Sequence, residues 1–405
     1  MQRLIQSIVI MSMAVLAALA SGCNPEHAIT DRNAYTLIAK VDVKQEAHRF
    51  NPTFEYHGVE ANIITTMATD GEGSIVFCDK TNDKLYKFSP SGLCLRAVRH
   101  NDPFYILPSS QGDGHFLVTK QGSRPQGGKG PFWNVARLMA NLEQAKHFTL
   151  DCSKIGLNKS FFHIAVGADH SRKLLAQGPG KDDKSTEKVT VNPPMQTWLY
   201  LYDTDGLFQE RLDMGILQTK ICGFYLVGDR MIVGDATRVL SMTPDAKEQN
   251  EIIVDWLREY YSNLGKEAPE INTLRPGPDD TLWIYTTGRR DLDEKKERLF
   301  VFNLNGEFLR EVTFETQSEE LIAEFTIGAD GTIYAIYNTE YALYVYGNAA
   351  MKQAYRAGRA ELEKKLAARA IEIPPEQMGG QAPDETVSEP DEEKELTGDE
   401  FYEED

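Results

Sequence analysis

The feature that most constrains this chain is a turn that comes back six times. Asp70-Gly71-Glu72-Gly73, Gly112-Asp113-Gly114, Gly167-Ala168-Asp169, Gly228-Asp229, Gly277-Pro278-Asp279-Asp280 and Gly328-Ala329-Asp330-Gly331 share one Gly/Asp grammar, with aspartates about 43 to 60 residues apart. A period of that size marks a repeat architecture, in which each unit is a supersecondary element that needs its neighbours to bury its apolar face. The unit is plainest from Ile63 to Val98. A strand from Ile63 to Ala68 meets the Asp70 turn, and Ser74 to Cys78 returns as a second strand. Asn82-Asp83 leads into Lys84-Leu85-Tyr86-Lys87-Phe88, and Ser89-Pro90-Ser91-Gly92 leads into Leu93 to Val98. Four short alternating runs separated by Gly, Asp and Pro turns read as one meander sheet.

The later units repeat the aromatic third strand as Leu199-Tyr200-Leu201-Tyr202, Leu299-Phe300-Val301-Phe302 and Leu343-Tyr344-Val345-Tyr346. The turn after it returns as Asp203-Thr204-Asp205-Gly206, Thr243-Pro244-Asp245 and Asn303-Leu304-Asn305-Gly306. The sixth unit stops after its third strand at Gly347-Asn348, while Tyr35 to Val41 is a strand without a unit. Joining the two completes a ring and removes an unpaired sheet edge. The expected fold is therefore all-β, a six-bladed β-propeller over residues 34–346 closed by the N-terminal strand. The same turns and aromatics would serve a β-sandwich, but their sixfold recurrence favours the ring. Gly73, Ile75, Asp79, Asn82, Tyr86, Phe88, Pro90 and Gly92 form a pattern that resembles NHL repeats and the six-bladed propeller lipoproteins of bacteria. The resemblance is strong in the first unit, fair in the fifth and sixth, and degenerate in between. It implies a fold and no single activity, because such propellers include lyases, hydrolases and binding scaffolds.

The N-terminus reads as an export signal over residues 1–22: Arg3, then a mostly apolar run from Ile5 to Leu19, then Ala20-Ser21-Gly22-Cys23. Small residues directly before a cysteine resemble the lipobox of bacterial lipoproteins, which implies lipidation at Cys23; Ala20 departs from the Leu favoured at its position. The expected location is the bacterial cell envelope, lipid-anchored and facing the periplasm or the cell exterior. Cleavage after Ala18-Leu19-Ala20 would instead release a soluble periplasmic protein. An uncleaved span is disfavoured by the short apolar run. Cys78, Cys94, Cys152 and Cys222 fit no zinc spacing. Cys78 and Cys94 fall on one sheet with a strand between them, about 10 Å apart, beyond disulfide reach.

Residues 349–371 are rich in Ala, Glu, Lys, Arg and Leu, with Glu361 and Lys365 at i,i+4 and a thin stripe of Met351, Tyr355, Leu362 and Leu366. They predict a helix that docks on a propeller face or a partner, or else stands in solvent, and that ends at Pro374-Pro375. From residue 375 the composition predicts a disordered acidic tail. From Glu376 the tail carries −12 of the chain's −18 charge, leaving −6 elsewhere. No concentrated positive field exists to hold nucleic acid.

No catalytic motif stands out, and no metal or cofactor is expected. His163 and His170 flank a strand, where a lone histidine is more often structural. The Asp-rich turns lack the ligand run of a calcium loop. Lactonase-type propellers hold a metal with inner-strand Glu, Asn and Asp, whereas the inner strands here read as mostly apolar or hydroxyl-bearing. Insertions are more informative. Gln121 to Trp133, Gly178 to Gln196 and Gly288 to Arg298 all lengthen the link from second to third strand and so share one face. They carry Arg124, Lys129, Phe132, Trp133, Lys181, Lys184, Lys188, Arg289 and Arg290. The links 44–60 and 255–269 are expected to add Phe50, Phe54, Tyr56, Trp256, Tyr260 and Tyr261 to that face. Long loops on a rigid scaffold are where binding usually resides. The reading that follows is a monomeric binding or scaffolding propeller for a protein, peptide or glycan, with Arg124, Lys129, Phe132, Trp133, Arg289 and Arg290 as the ligand-binding set. The alternative is a propeller-type hydrolase or lyase with its site at the channel mouth.

Overall fold

A computed structural model describes residues 33–50, 64–70, 73–79, 83–100, 103–108, 115–121, 132–138, 142, 144–151, 161–166, 172–179, 195–203, 207–216, 221–243, 245, 248–252, 254–266, 270–286, 296–316, 321–337 and 340–372. The chain forms two units, residues 1–359 and 360–405. The first unit opens with β1 (Asn33–Asp42) and α1 (Val43–Phe50). Four sheets of four strands follow: β2 (Ile64–Thr69), β3 (Ile75–Asp79), β4 (Lys84–Phe88) and β5 (Cys94–Arg99); β6 (Pro103–Pro108), β7 (His115–Gln121), β8 (Phe132–Leu138) and β9 (Gln144–Asp151); β10 (Phe161–Val166), β11 (Arg172–Pro179), β12 (Met195–Tyr202) and β13 (Phe208–Ile216); β14 (Ile221–Val227), β15 (Arg230–Asp235), β16 (Val239–Met242) and β17 (Gln249–Ile252). Then come α2 (Val254–Asn263), β18 (Ile271–Gly277), β19 (Thr281–Thr286), β20 (Lys296–Asn303), β21 (Phe308–Glu315), β22 (Ile322–Ile327), β23 (Ile333–Tyr337), β24 (Ala342–Gly347) and α3 (Ala349–Glu372).

The last seven strands and β1 make one eight-stranded sheet, ordered β18-β19-β20-β21-β1-β24-β23-β22. It is two meanders joined through β1. As expected from the sequence, β1 supplies the strand missing after β24, pairing antiparallel from Thr36↔Gly347 to Asp42↔Ala342. It also runs parallel to β21 at Asn33↔Val312 to Tyr35↔Phe314, a pairing the repeat did not announce.

The arrangement is that of a β-propeller. First strands lie against first strands: β2 with β6 and β22, β10 with β14, β14 with β18, and β18 with β22. Apolar clusters fill the interfaces between successive sheets. Ile75 and Phe77 pack with Leu343 and Val345, while Val76 and Cys78 pack with Leu138 on the other side. Ala342, Tyr344 and Tyr346 pack with Leu299 and Val301, and Phe300 and Phe302 turn towards Ile232 and Val239. A strand covered on both faces has no polar side, which is why β3, β4 and β24 are buried at every position. The side chains of β6 to β11 lie largely outside the described residues.

Three of the turn aspartates bond to their own backbone. Asp70 Oδ1 accepts from Ser74 N at 2.7 Å, Asp203 Oδ1 from Leu207 N at 2.9 Å and Asp330 Oδ1 from Thr332 N at 2.9 Å. Gly73 and Gly331 take φ of 76° and 86°, where a Cβ is strained. Asp70 Oδ2 also receives the buried Lys87 Nζ at 2.9 Å. Cys78, Cys94 and Cys222 are free thiols, and β4 separates the first two; Cys152 lies outside the described residues.

The helix expected over 349–371 is α3. Within the first unit, Met351 and Tyr355 pack into two core clusters, and Arg359 pairs with Glu46 and donates to Gly92 O at 3.4 Å. In the second unit the described residues continue as helix to Glu372; Lys365 and Glu361 pair at 2.6 Å, and Leu366 is exposed. No helix among the described residues is long and apolar enough to cross a membrane.

Candidate functional site

Each sheet has two unlike ends. At one, short links join first to second and third to fourth strands. At the other, first strands begin and second strands lead into third strands. Registers fix this end locally: Ile271 faces Thr286, and Tyr285 faces Leu299. The links 122–131, 180–194 and 287–295 all leave from this second end, here called the insertion end. Most first strands are irregular there. Register shifts at Ile64/Thr66, Pro103/Tyr105, Ile221/Gly223, Ile271/Thr273 and Ile322/Glu324 mark bulges near the start of five of them. Bulges re-aim side chains and commonly flank sites.

The inner ring holds a charged brace that its apolar sequence conceals. Arg275 on β18 donates through Nε to Phe325 O at 3.1 Å and through Nη1 to Leu274 O at 2.8 Å and to the Tyr225 hydroxyl; its Nη2 pairs with Glu324. One guanidinium thus ties β14, β18 and β22 together. Burial raises the Tyr225 phenol, and the facing guanidinium opposes that rise. Glu324 is the one carboxylate among the described residues of β2, β6, β10, β14, β18 and β22, and it is committed to Arg275. Breaking such a pair strands a buried charge, so it serves as a lock rather than as a free acid or base.

A second polar tie closes the last sheet on the first. The Tyr341 hydroxyl donates to Asp79 Oδ2 and lies 3.3 Å from the Tyr86 hydroxyl, with Lys44 Nζ 5.6 Å from the Tyr341 ring centre. Asp79 is fully buried at the end of β3. Among the described residues no group of three or more His, Cys, Asp or Glu is placed to hold a metal.

The sequence-derived site residues fall as follows. Arg124, Lys129, Arg289 and Arg290 lie outside the described residues, as do Cys23, Phe54, Tyr56, Lys181, Lys184, Lys188 and His170. Phe132 and Trp133 open β8, paired with Gln121 and Lys120. They therefore head a strand at the insertion end rather than sitting in the loop, because the ladder extends further than the repeat suggested. Phe50 ends α1, and His163 lies on β10 opposite Leu175.

The expectation that Trp256, Tyr260 and Tyr261 face a ligand is corrected. They sit on α2, and Tyr260 and Tyr261 are buried. The Trp256 ring stacks on Phe308 with centroids 4.1 Å apart, and Tyr260 meets Phe300 edge-on at 5.4 Å. The Tyr260 hydroxyl donates to Glu311 Oε2 at 3.4 Å, and Glu311 pairs with Arg298. These aromatics fill a junction between sheets. Their i, i+4, i+5 spacing, the face of a helix, was the available signal.

No protein-family model matches this chain, and no curated protein matches it. Among solved structures, a streptogramin B lyase aligns over 72% of this chain and 95% of its own at 10% identity, with a TM-score of 0.44. A putative gluconolactonase aligns over 71% and 90% at 13% identity, with a TM-score of 0.41. Regucalcin, a calcium-binding protein of Agrobacterium tumefaciens, aligns over 78% and 95% at 9% identity, with a TM-score of 0.42.

Proposed function

We propose that this chain is an envelope lipoprotein, anchored through Cys23, whose NHL-like propeller of six blades binds or scaffolds a protein, peptide or glycan at the insertion end. The six blades are the four separate sheets and the two meanders joined through β1. The observation that carries the reading is that the links 122–131, 180–194 and 287–295 spring from the same end of their sheets. The Arg275–Glu324 brace supports it, since the inner-ring carboxylate that a hydrolase or lyase would use is held in an ion pair. Arg124, Lys129, Phe132, Trp133, Arg289 and Arg290 are the proposed contacts for an anionic or mixed-character ligand. Arg offers a planar fork to carboxylates and phosphates, and Trp and Arg dominate binding energy when desolvated.

The test has two steps. A partner is first captured on the lipidated protein from its native envelope. Trp133→Ala and the pair Arg289→Ala/Arg290→Ala are then expected to weaken that partner at least tenfold, about 1.4 kcal/mol, with the melting temperature unchanged. An equal loss from Asp279→Ala, at the turn end, would sink the assignment of the face.

A further inference from the structure

We propose that α3 is a strap: it crosses from the last sheet to the first and lifts from the first sheet while β1 stays paired in the ring. The helix is seated closely at both ends of this crossing. Asn348 Oδ1 caps its first turn, accepting from Ala350 N and Met351 N at 3.0 Å each. A Cβ on Gly347 would lie 2.7 Å from Met351 Sδ and 2.9 Å from Ile38 Cδ1, so only glycine leaves room for the start of the helix. The helix then passes over the turn Ser89–Gly92 of the first sheet. A Cβ on Gly92 would collide with the Tyr355 hydroxyl, and one on Gly358 would lie 3.6 Å from Ser91 Cβ. Glycine in the turn and glycine in the helix thus let the two backbones approach.

The seat is close, but the hold is light. Of residues 349–359 only Tyr355 is buried, and its hydroxyl makes no hydrogen bond. A hydroxyl taken out of water without a partner opposes docking. Arg359 Nη1 reaches Gly92 O at 3.4 Å, a long bond, and its pair with Glu46 is partly exposed. Exposed pairs of this kind contribute little. β1 is held in another way. It pairs with both β24 and β21 and buries Tyr35 and Val41. Elements held this unequally open separately, the less buried one first. The start of α3 stays with β24, and the stretch from Tyr355 to Arg359 swings out, uncovering Ser91, Gly92 O and the Glu46 carboxylate.

Thiol trapping on the full chain tests this. Ser91 is buried, so Ser91→Cys places a thiol under the strap. With N-ethylmaleimide, and labelling read peptide by peptide by mass spectrometry, it should react about tenfold faster than the fully buried Cys78 of β3. Adding Tyr355→Ala should speed it about tenfold again, while the amides of β1 keep their protection from exchange. Arg359→Ala, which leaves the core untouched, should move the rate in the same direction and serves if the Tyr355 variant does not fold. A Ser91→Cys thiol as inert as Cys78, a rate that neither variant changes, or protection of β1 lost together with the strap would each overturn the proposal. The pair Ser91→Cys/Gly358→Cys checks the seat itself. Its Cβ atoms would stand 3.6 Å apart, close to the about 3.8 Å usual across a disulfide. The bond should form on mild oxidation of the folded chain, and failure to form it would overturn the docked position.

Discussion

Two junctions of the propeller solve one problem with different chemistry. Between the β14–β17 sheet and the one that begins with β18, α2 inserts an aromatic wedge. Trp256 stacks on Phe308, Tyr260 and Tyr261 meet Phe300, and Leu257 is buried beside them. Between the last sheet and the first, α1 contributes the small buried side chains Val43 and Ala47 and the carboxylate of Glu46, with its first turn capped by Asp42. That junction is drawn shut by ties between residues far apart in sequence: Thr69 Oγ1 to Ile327 O at 3.1 Å, Tyr334 Oη to Pro90 O at 3.0 Å, Tyr341 to Asp79, and Arg359 to Glu46. The difference follows from connectivity. At the first junction the chain runs on from β17 through α2 to β18, whereas at the second the first strand, β1, must pair with the last, β24, before α1 leads on to β2. There β1 and the start of α3 do what a covalent link does elsewhere.

The comparison predicts a ranking of damage. Deleting Tyr35–Val41 removes the strand that the last sheet lacks and exposes the edges of β24 and β21, so it should cost several kcal/mol and lower the melting temperature by about 10 °C or more. Deleting Glu376–Asp405 should leave it unchanged. A tail deletion as harmful as the strand deletion would overturn the closure. Trp256→Ala should come next, at about 3 kcal/mol, as for truncation of a packed aromatic. Arg359→Ala should cost no more than about 1 kcal/mol, because its pair with Glu46 is partly exposed. Denaturant titration of both variants measures the gap, and a larger loss from Arg359→Ala would show that the aromatic wedge is not the stronger of the two.

Much of this was written locally in the sequence. The turns at Asp70 and Asp330 were readable because Gly and Asp meet backbone demands within four residues; those at 112–114 and 167–169 lie outside the described residues. The closing strand was readable because one unit lacked what the N-terminus had in surplus. The brace was not readable as a run, since Arg275 and Glu324 are 49 residues apart and meet only when first strands converge. Aligning the first strands on their leading isoleucines would have shown it: Glu324 stands where the other strands carry Thr66, Gly223 and Thr273. The aromatics of α2 misled because Trp and Tyr suit a binding rim as well as a core, and only the helix period tells the two apart.

The smallest expected effect concerns pH at the closing junction. Burial pushes the Cys94 thiol up to about 12 from the ordinary value of 9.0, with the Glu46 carboxylate adding to the rise. A thiol that titrates higher when folded contributes its full stability below pH 9 and loses it progressively as pH climbs from about 9 to about 12. Cys94→Ala should therefore flatten the fall of melting temperature over that window. An unchanged slope would place the alkaline sensitivity elsewhere.

Native-state hydrogen exchange of β1 bears most directly on the central claim, that the N-terminal strand is an integral part of the ring. The amides of residues 36–42 should exchange only through global unfolding, with protection equal to that of β20 and falling in step with it as denaturant is added. Exchange of β1 by local opening, several kcal/mol below β20 and insensitive to denaturant, would show a strand that merely rests on a ring already complete without it.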